Sequence, residues 1–412
     1  MLDLGSSTGR FSGGQARLPA RHTAARVPRY CRIHFRCLGL RAARSDAHLA
    51  PLLRQPGEIS RLKRAPAATI WLVAGLDLRK LGELGLIEVL RRRARGARGV
   101  WRLGIGDDAA VLRPRPGYDL ALTTDTLVEG VHFRWETTDA PSLGHKTLAV
   151  NLSDLGAMGA RPLGFLLDLC LPVDASPAAL AGAVRGLLSE AQIARCPLIG
   201  GDTSSGPIWV LSVTALGELP QGSALRRDGA RPGERLLVTG TLGGAALGLA
   251  LLERGQSTVA GARPFVRRQL RPRPPYQAGA RLLRSGSATA AIDISDGLTS
   301  DLAQLLAASG MGADVQLERL PLARGMRSLC ERLGLDAEKL ALHGGEDYEL
   351  LFCLSPNAPS AAVLARLLRC RVTELGVIRA GRGARYLRDG QTIAISPQGF
   401  DHFKPVSVSS EK

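Results

Sequence analysis

The sequence has no uninterrupted apolar run near the length needed to cross a bilayer; Arg, Gly or Pro breaks each greasy stretch. No apolar segment follows Met1, so a secretory signal fits badly. Cysteine is sparse. The seven residues at 31, 37, 170, 196, 330, 353 and 370 are odd in number and contain no C-x-x-C pair. That excludes a disulfide framework and a zinc finger, and suits a reducing cytoplasm. No Walker A loop is present, since Gly144-His145-Lys146-Thr147 lacks a glycine directly before its lysine. Gly104-x-Gly106-x-x-Ala109 matches a dinucleotide fingerprint, but Asp107 and Asp108 in its turn would repel a pyrophosphate. Nothing in the placement of Ser, His and Cys suggests a covalent nucleophile or a general base.

The 412 residues are enough for two globular domains, and 45% of them are apolar, which excludes a disordered chain. The net charge is +17, but residues 1–80 hold 15 Lys and Arg against 4 Asp and Glu, a surplus of 11. A nucleic-acid reading is therefore confined mainly to that leader, and no nucleic-acid motif supports it elsewhere. Residues 1–75 show no sustained period. They read as a basic extension, either a transit-type leader or sequence upstream of the true start. No Met lies between Met1 and Met158, so an internal start would need another codon, near Val73.

The remainder alternates strands and helices and predicts an α/β class with mixed sheets. Helices are expected over 78–93, 146–158 and 178–194 and from about 298. Strands are expected over 118–124, 163–171, 208–217, 235–239, 289–294 and 346–352. A turn is expected at Gly200-Gly201-Asp202. The polar stretch 220–232 marks a boundary, giving domains at 76–230 and 231–412 after the basic 1–75.

Acidic residues recur beside glycine at strand ends: Asp107 and Asp108, Asp125, Asp154, Asp202, Asp293 and Asp296, Glu346 and Asp347. Any one of them is accounted for by a turn or an N-cap. Gathered in one cleft they would repel each other and need screening. Hard oxygen ligands with open water positions suit Mg²⁺, which bridges carboxylates and nucleotide phosphates. His132 follows the Asp125 segment closely. Arg227 has the planar fork of a phosphate clamp.

Six strings carry a family resemblance: GIGDDAAV (104–111), TTDTLVEGVHF (123–133), KTLAVNLSDLGAMGARP (146–162), LIGGDTSSGP (198–207), DISDGLTSDL (293–302) and GGEDYELLF (344–352). In order and spacing the chain resembles the thiamine-monophosphate kinases over about four-fifths of its length, from Leu84 to Phe403. The resemblance implies the two-domain fold of the aminoimidazole-ribonucleotide-synthetase superfamily, with a homodimer through the first domain. It implies Mg²⁺ ligands at Asp108, Thr123, Thr124, Asp125, Asp154, Asp202, Asp293 and Asp296. It implies ATP contacts at Gly201, Asp202, Arg227 and Ser295, and substrate contacts at His132, Glu346 and Phe400. ATP and several Mg²⁺ ions are the expected cofactors, with no membrane or nucleic-acid partner for the folded domains. Gly144-His145 stand where relatives often have a bulkier aromatic residue. Other ATP enzymes of the superfamily are the alternatives. A selenophosphate synthetase would need a reactive Cys that only the unmatched leader supplies, and a hydrogenase-maturation protein a Cys tail where this chain ends Ser-Ser-Glu-Lys. A purine cyclo-ligase completes the set.

Overall fold

A computed structural model describes residues 78–94 and 99–400, so the expected extension over 1–75 and residues after Phe400 lie outside the described residues. The first helix is α1 (Leu78–Arg93). Two short strands, β1 (Trp101–Leu103) and β2 (Val111–Leu112), flank the GIGDD turn. Trp101 pins this hairpin to the fold by donating its Nε1–H to Leu163 O at 2.9 Å.

A four-stranded sheet follows in the order β3-β6-β4-β5. Its members are β3 (Tyr118–Val128), β4 (Arg161–Leu171), β5 (Leu198–Ser205) and β6 (Val210–Pro220). Only the β4–β5 pair is parallel. The expected Gly-Gly-Asp turn is instead part of β5, because its backbone pairs with β4 through Asp168 and Asp202.

Two helices cover one face: α2 (Ala140–Ala157) and α3 (Pro177–Ala194). α2 begins at Ala140, earlier than the expected 146. Asp139 caps it by accepting from Ser142 N at 2.9 Å, and Pro141 fits its first turn, where no amide donor is needed. Fifteen of its eighteen residues are buried, so α2 is packed on nearly every side. Small residues permit that. A Cβ added at Gly144 would fall 1.7 Å from Ala183 O on α3. The departure at Gly144 is thus a close helix crossing. His145 beside it is buried, with Nδ1 3.2 Å from Glu190 Oε2 and Nε2 2.7 Å from Pro272 O.

The second sheet has seven strands in the order β13-β12-β9-β11-β7-β10-β8. They are β7 (Arg235–Thr239), β8 (Ala288–Ile294), β9 (Gly312–Gln316), β10 (Glu349–Leu354), β11 (Val372–Arg379), β12 (Gly383–Arg388) and β13 (Gln391–Ile393). β10 is buried along its whole length, at the centre of the apolar packing. The helices that bear on the site are α4 (Gly244–Glu253), α5 (Arg263–Leu270), α6 (Tyr276–Ser285) and α7 (Leu298–Ser309). α6 lies directly on α2: a Cβ at Gly279 would be 1.7 Å from Gly156 O. α2 is thereby clamped between the sheets. β10 starts at Glu349, three residues later than expected, because Glu346 and Tyr348 have φ of 66° and 51° and cannot continue a strand. No described helix is long and apolar enough to cross a membrane.

Candidate active site

The site forms where β3, α2 and the end of β8 meet. Alternation along β3 sends Thr123 and Asp125 to one face and Thr124 to the other. Thr123 Oγ1 donates to Asp154 Oδ2 on α2. The backbone of Asp125 donates to Asn151 Oδ1 at 3.1 Å. Ser153, the residue before Asp154, lies on a different side of α2, and its Oγ donates to Asp293 Oδ2 at 2.7 Å, tying α2 to β8. Thr124 Oγ1 instead donates to Val213 O at 3.1 Å on the sheet's opposite face.

The carboxylates brought together are Asp125, Asp154, Asp293 and Asp296. Burial pushes Asp125 up to about 7, with Asp154, Asp293 and Asp296 adding to the shift. Asp293 is pushed to about 6 by burial and by Asp154, while Ser153 and Arg227 oppose the shift. Asp154 is also raised, chiefly by burial. All three carboxyls are raised because burial and neighbouring negative charges disfavour ionisation with little positive charge nearby.

Asp301, on the first turn of α7, organises the β8–α7 turn. Its Oδ2 accepts from the backbone N–H of Ser295, Asp296 and Gly297 at 3.0, 3.0 and 3.1 Å. Burial lifts it to about 7. Asp301 Oδ1 accepts from Gln304 Nε2 at 3.2 Å, and Gln304 Oε1 accepts from exposed Arg227 at 2.9 Å. Arg227 is thereby linked to the turn carrying Ser295 and Asp296.

The 344–348 loop closes another side. Glu346 N donates to Ser295 O at 2.7 Å and Tyr348 N to Ile294 O at 2.8 Å. Lys146 Nζ, on α2, lies 2.5 Å from Glu346 Oε1, and Gln269 Nε2 donates to Glu346 Oε2. The Tyr348 phenol is held well above its ordinary range by burial and by Glu346, Asp125, Asp293 and Asp154. Asp347 points elsewhere: its Oδ2 and Oδ1 accept from Gly243 N at 2.5 Å and Ala245 N at 3.1 Å. It caps α4. Asp107 is likewise a turn residue, accepting from Asp108 N at 2.9 Å.

The other expected residues lie farther out. Asp108 and Asp202 are exposed. Asp202 is in register with Asp168, which pairs with Ser212 and hence with Thr126, so it shares the face opposite Asp125. Three strand spacings put it roughly 14 Å across the sheet from β3. Gly201 precedes it on β5. His132 stands in the turn after β3, where its Nδ1 accepts from Val128 N at 3.0 Å. Phe400 is exposed at the end of a segment docked on α7 by paired bonds between Thr299 and Gln398, 3.0 and 3.2 Å long. Lys146, Asn151, Gln269, Asp301 and Tyr348 were not singled out from sequence. The only available signal was that four of them lie inside the conspicuous strings.

Among the described residues, no three His, Cys, Asp or Glu side chains are arranged as a ready cage for one ion. The donor set still fits Mg²⁺. It consists of hard oxygens, and this ion binds one or two carboxylates while keeping water and phosphate ligands.

The fold and the site define a two-sheet α/β protein with a cluster of carboxylates at the meeting of β3, α2 and β8. Residues 106–219 match the N-terminal domain of AIR synthase related proteins, and residues 231–387 match their C-terminal domain. Thiamine-monophosphate kinase of Escherichia coli K12 is 40% identical over 327 residues, covering 78% of this chain and 98% of that protein. The crystal structure of thiamine-monophosphate kinase from Stenotrophomonas maltophilia is 43% identical with a TM-score of 0.67, covering 75% of this chain and 96% of that one. A structure described as AaThiL complexed with AMPPCP and TMP is 32% identical with a TM-score of 0.63, covering 80% and 99%. The chain belongs to the thiamine-monophosphate kinase family of the AIR synthase related proteins.

Proposed function

We propose that this protein transfers the γ-phosphate of ATP to thiamine monophosphate, giving thiamine diphosphate and ADP. The observation that carries the reading is the convergence of half-buried Asp125 and Asp154 with buried Asp293 and with Asp296, in a chain 40% identical to kinases of that name. The AaThiL complex with AMPPCP and TMP supports ATP and thiamine monophosphate as the two substrates.

The acceptor is a phosphate monoester whose second pKa is about 6, so it is mostly a dianion near neutral pH. It needs no general base, in keeping with a site rich in carboxylates and poor in catalytic bases. The obstacle is bringing two polyanions together. Mg²⁺ would supply charge neutralisation and alignment for in-line transfer. Thr123, Asp125, Asp154, Asp293 and Asp296 would hold it. Asp108 and Asp202, which are exposed, and Thr124, on the opposite face of β3 from Asp125, are the proposed ligands for further ions. Arg227, Ser295 and Gly201 with Asp202 would face ATP, and His132, Glu346 and Phe400 the substrate. Asp serves as a metal ligand and not as a nucleophile.

A homodimer is part of the proposal. β3 is an eleven-residue edge strand, and Leu122 on it is 64% exposed, as is expected of a strand face awaiting cover. A domain division near 220–232 is supported by the two sheets lying on either side of it. A cytoplasmic location is proposed because the reaction draws on ATP.

The test is incubation with ATP, Mg²⁺ and thiamine monophosphate, following thiamine diphosphate and ADP by chromatography, with EDTA as control. Diphosphate that disappears with EDTA supports the reading. ADP formed only with another acceptor would keep the superfamily and overturn the substrate.

A further inference from the structure

Among the described residues of the site, Glu346 is a carboxylate paired directly with a buried cation. Lys146 Nζ is 2.5 Å from its Oε1, and the lysine side chain is 6% exposed against 28% for the glutamate. Withdrawing so buried an ammonium would leave an uncompensated charge, a strongly unfavourable change. The pair therefore stays together, and its net charge is zero. Glu346 cannot act as the counter-ion of a cationic ring, although it keeps lone pairs: a carboxylate has about four acceptor sites, and only two are taken here.

Gln269 adds a second acceptor. Its Nε2 donates to Glu346 Oε2, and flipping the amide would set its oxygen against that carboxylate, so the orientation is fixed. The residue is 5% exposed, yet its Oε1 has no hydrogen-bond partner in the protein. A buried acceptor without a donor is costly and rare. Two acceptors on adjoining side chains, one neutral and one neutralised, suit a group with two N–H bonds.

We infer that Glu346 and Gln269 form an amine receptor that reads the exocyclic amino group of the substrate's aminopyrimidine, and that Lys146 is the positioning residue that turns Glu346 from a counter-ion into an acceptor. The inference rests on the proposed function and deepens it: recognition at this corner is by hydrogen-bond donation, not by the charge of the thiazolium.

The test compares kcat/KM for thiamine monophosphate with two analogues. One carries a 4-oxo group in place of the amine; the other has a neutral ring in place of the thiazolium. The wild-type protein should lose about 100-fold or more with the 4-oxo analogue, because its buried acceptors are left unpaired. It should lose less than about 10-fold with the neutral ring, the scale of an interaction that is not made here. Lys146→Met should raise KM more than it lowers kcat, shrink the preference for the amine, and create a preference for the charged ring. Lys146→Arg should restore the wild-type pattern. A neutral-ring analogue that loses as much as the 4-oxo analogue overturns the inference while leaving the proposed kinase intact. Wild-type protein that transfers nothing to thiamine monophosphate overturns both. If Lys146→Met fails to fold, Gln269→Leu decides instead: it should shrink the preference for the amine over the 4-oxo group, and an unchanged preference overturns the inference.

Discussion

Ser153 and Asp293 are 140 residues apart in sequence and joined by a 2.7 Å hydrogen bond, the direct polar tie between helix α2 and strand β8. The bond opposes the upward shift that burial and Asp154 impose on Asp293. Ser153→Ala should therefore cost about 1.5–3 kcal/mol of stability, the scale of a hydrogen bond to a charged group. It should also weaken Mg²⁺-dependent activity several-fold. Urea denaturation and a Mg²⁺ titration of the kinase assay check it; a variant unchanged in both would remove Ser153 from the site.

Asp125→Asn bears on the metal role. Mutual repulsion among Asp125, Asp154, Asp293 and Asp296 is what a dication relieves, so Mg²⁺ should raise the Tm of the wild-type protein. The rise should be smaller in Asp125→Asn, whose kcat/KM should fall at least ~100-fold. Equal Mg²⁺ shifts in both proteins would contradict ligation by Asp125.

The close crossings of α2 should be intolerant of a methyl group. Gly279→Ala would place a Cβ 1.7 Å from Gly156 O, so α2 and α6 must separate. A loss of about 3 kcal/mol or more is expected, at the upper end of overpacking penalties. A urea midpoint within error of the wild type would show that the crossing yields cheaply.

Asp347 gives a pH dependence with a definite sign. Burial raises its carboxyl from 3.8 to about 7 in the folded state. Between those values the folded protein keeps a proton that the unfolded chain releases. Its contribution is therefore complete below pH ~4 and is lost as pH rises towards ~7, with a slope of at most about 1.4 kcal/mol per pH unit. In Asp347→Asn that part of the slope should vanish, along with one or both caps on α4. Denaturation measured from pH 5 to 7.5 checks it; an identical slope would place the proton elsewhere.

Leu122→Glu tests the proposed homodimer. The residue sits 64% exposed on the edge strand β3. The substitution should shift the species seen by light scattering from dimer to monomer while leaving the circular dichroism unchanged. A monomeric wild-type protein would remove the dimer from the proposal.

Much of this protein is written locally. The alternation of Tyr118–Thr124 gives β3, and the apolar spacing from Ala178 to Ala194 gives α3. The six acidic strings identify both the α/β class and the family, because each string is a short backbone device whose chemistry survives outside its context. Boundaries were less legible. The Gly-Gly-Asp segment looks like a turn in isolation and becomes strand because β4 supplies a paired edge. Glu346 looks like the start of a strand, but its left-handed backbone belongs to a loop pinned to Ser295.

What the tertiary structure alone decided is which charges meet. Lys146 and Glu346 are 200 residues apart, and no period or motif links them. They meet because α2 is clamped between two sheets by glycine crossings, which carries its polar residues to the end of β8 and the 344–348 loop. Hydrophobic periodicity reports how a segment faces its neighbours, but not which neighbours those are. That choice belongs to the packing of the whole chain, and with it the pairing that neutralises Glu346 while Asp125, Asp154 and Asp293 remain short of positive charge.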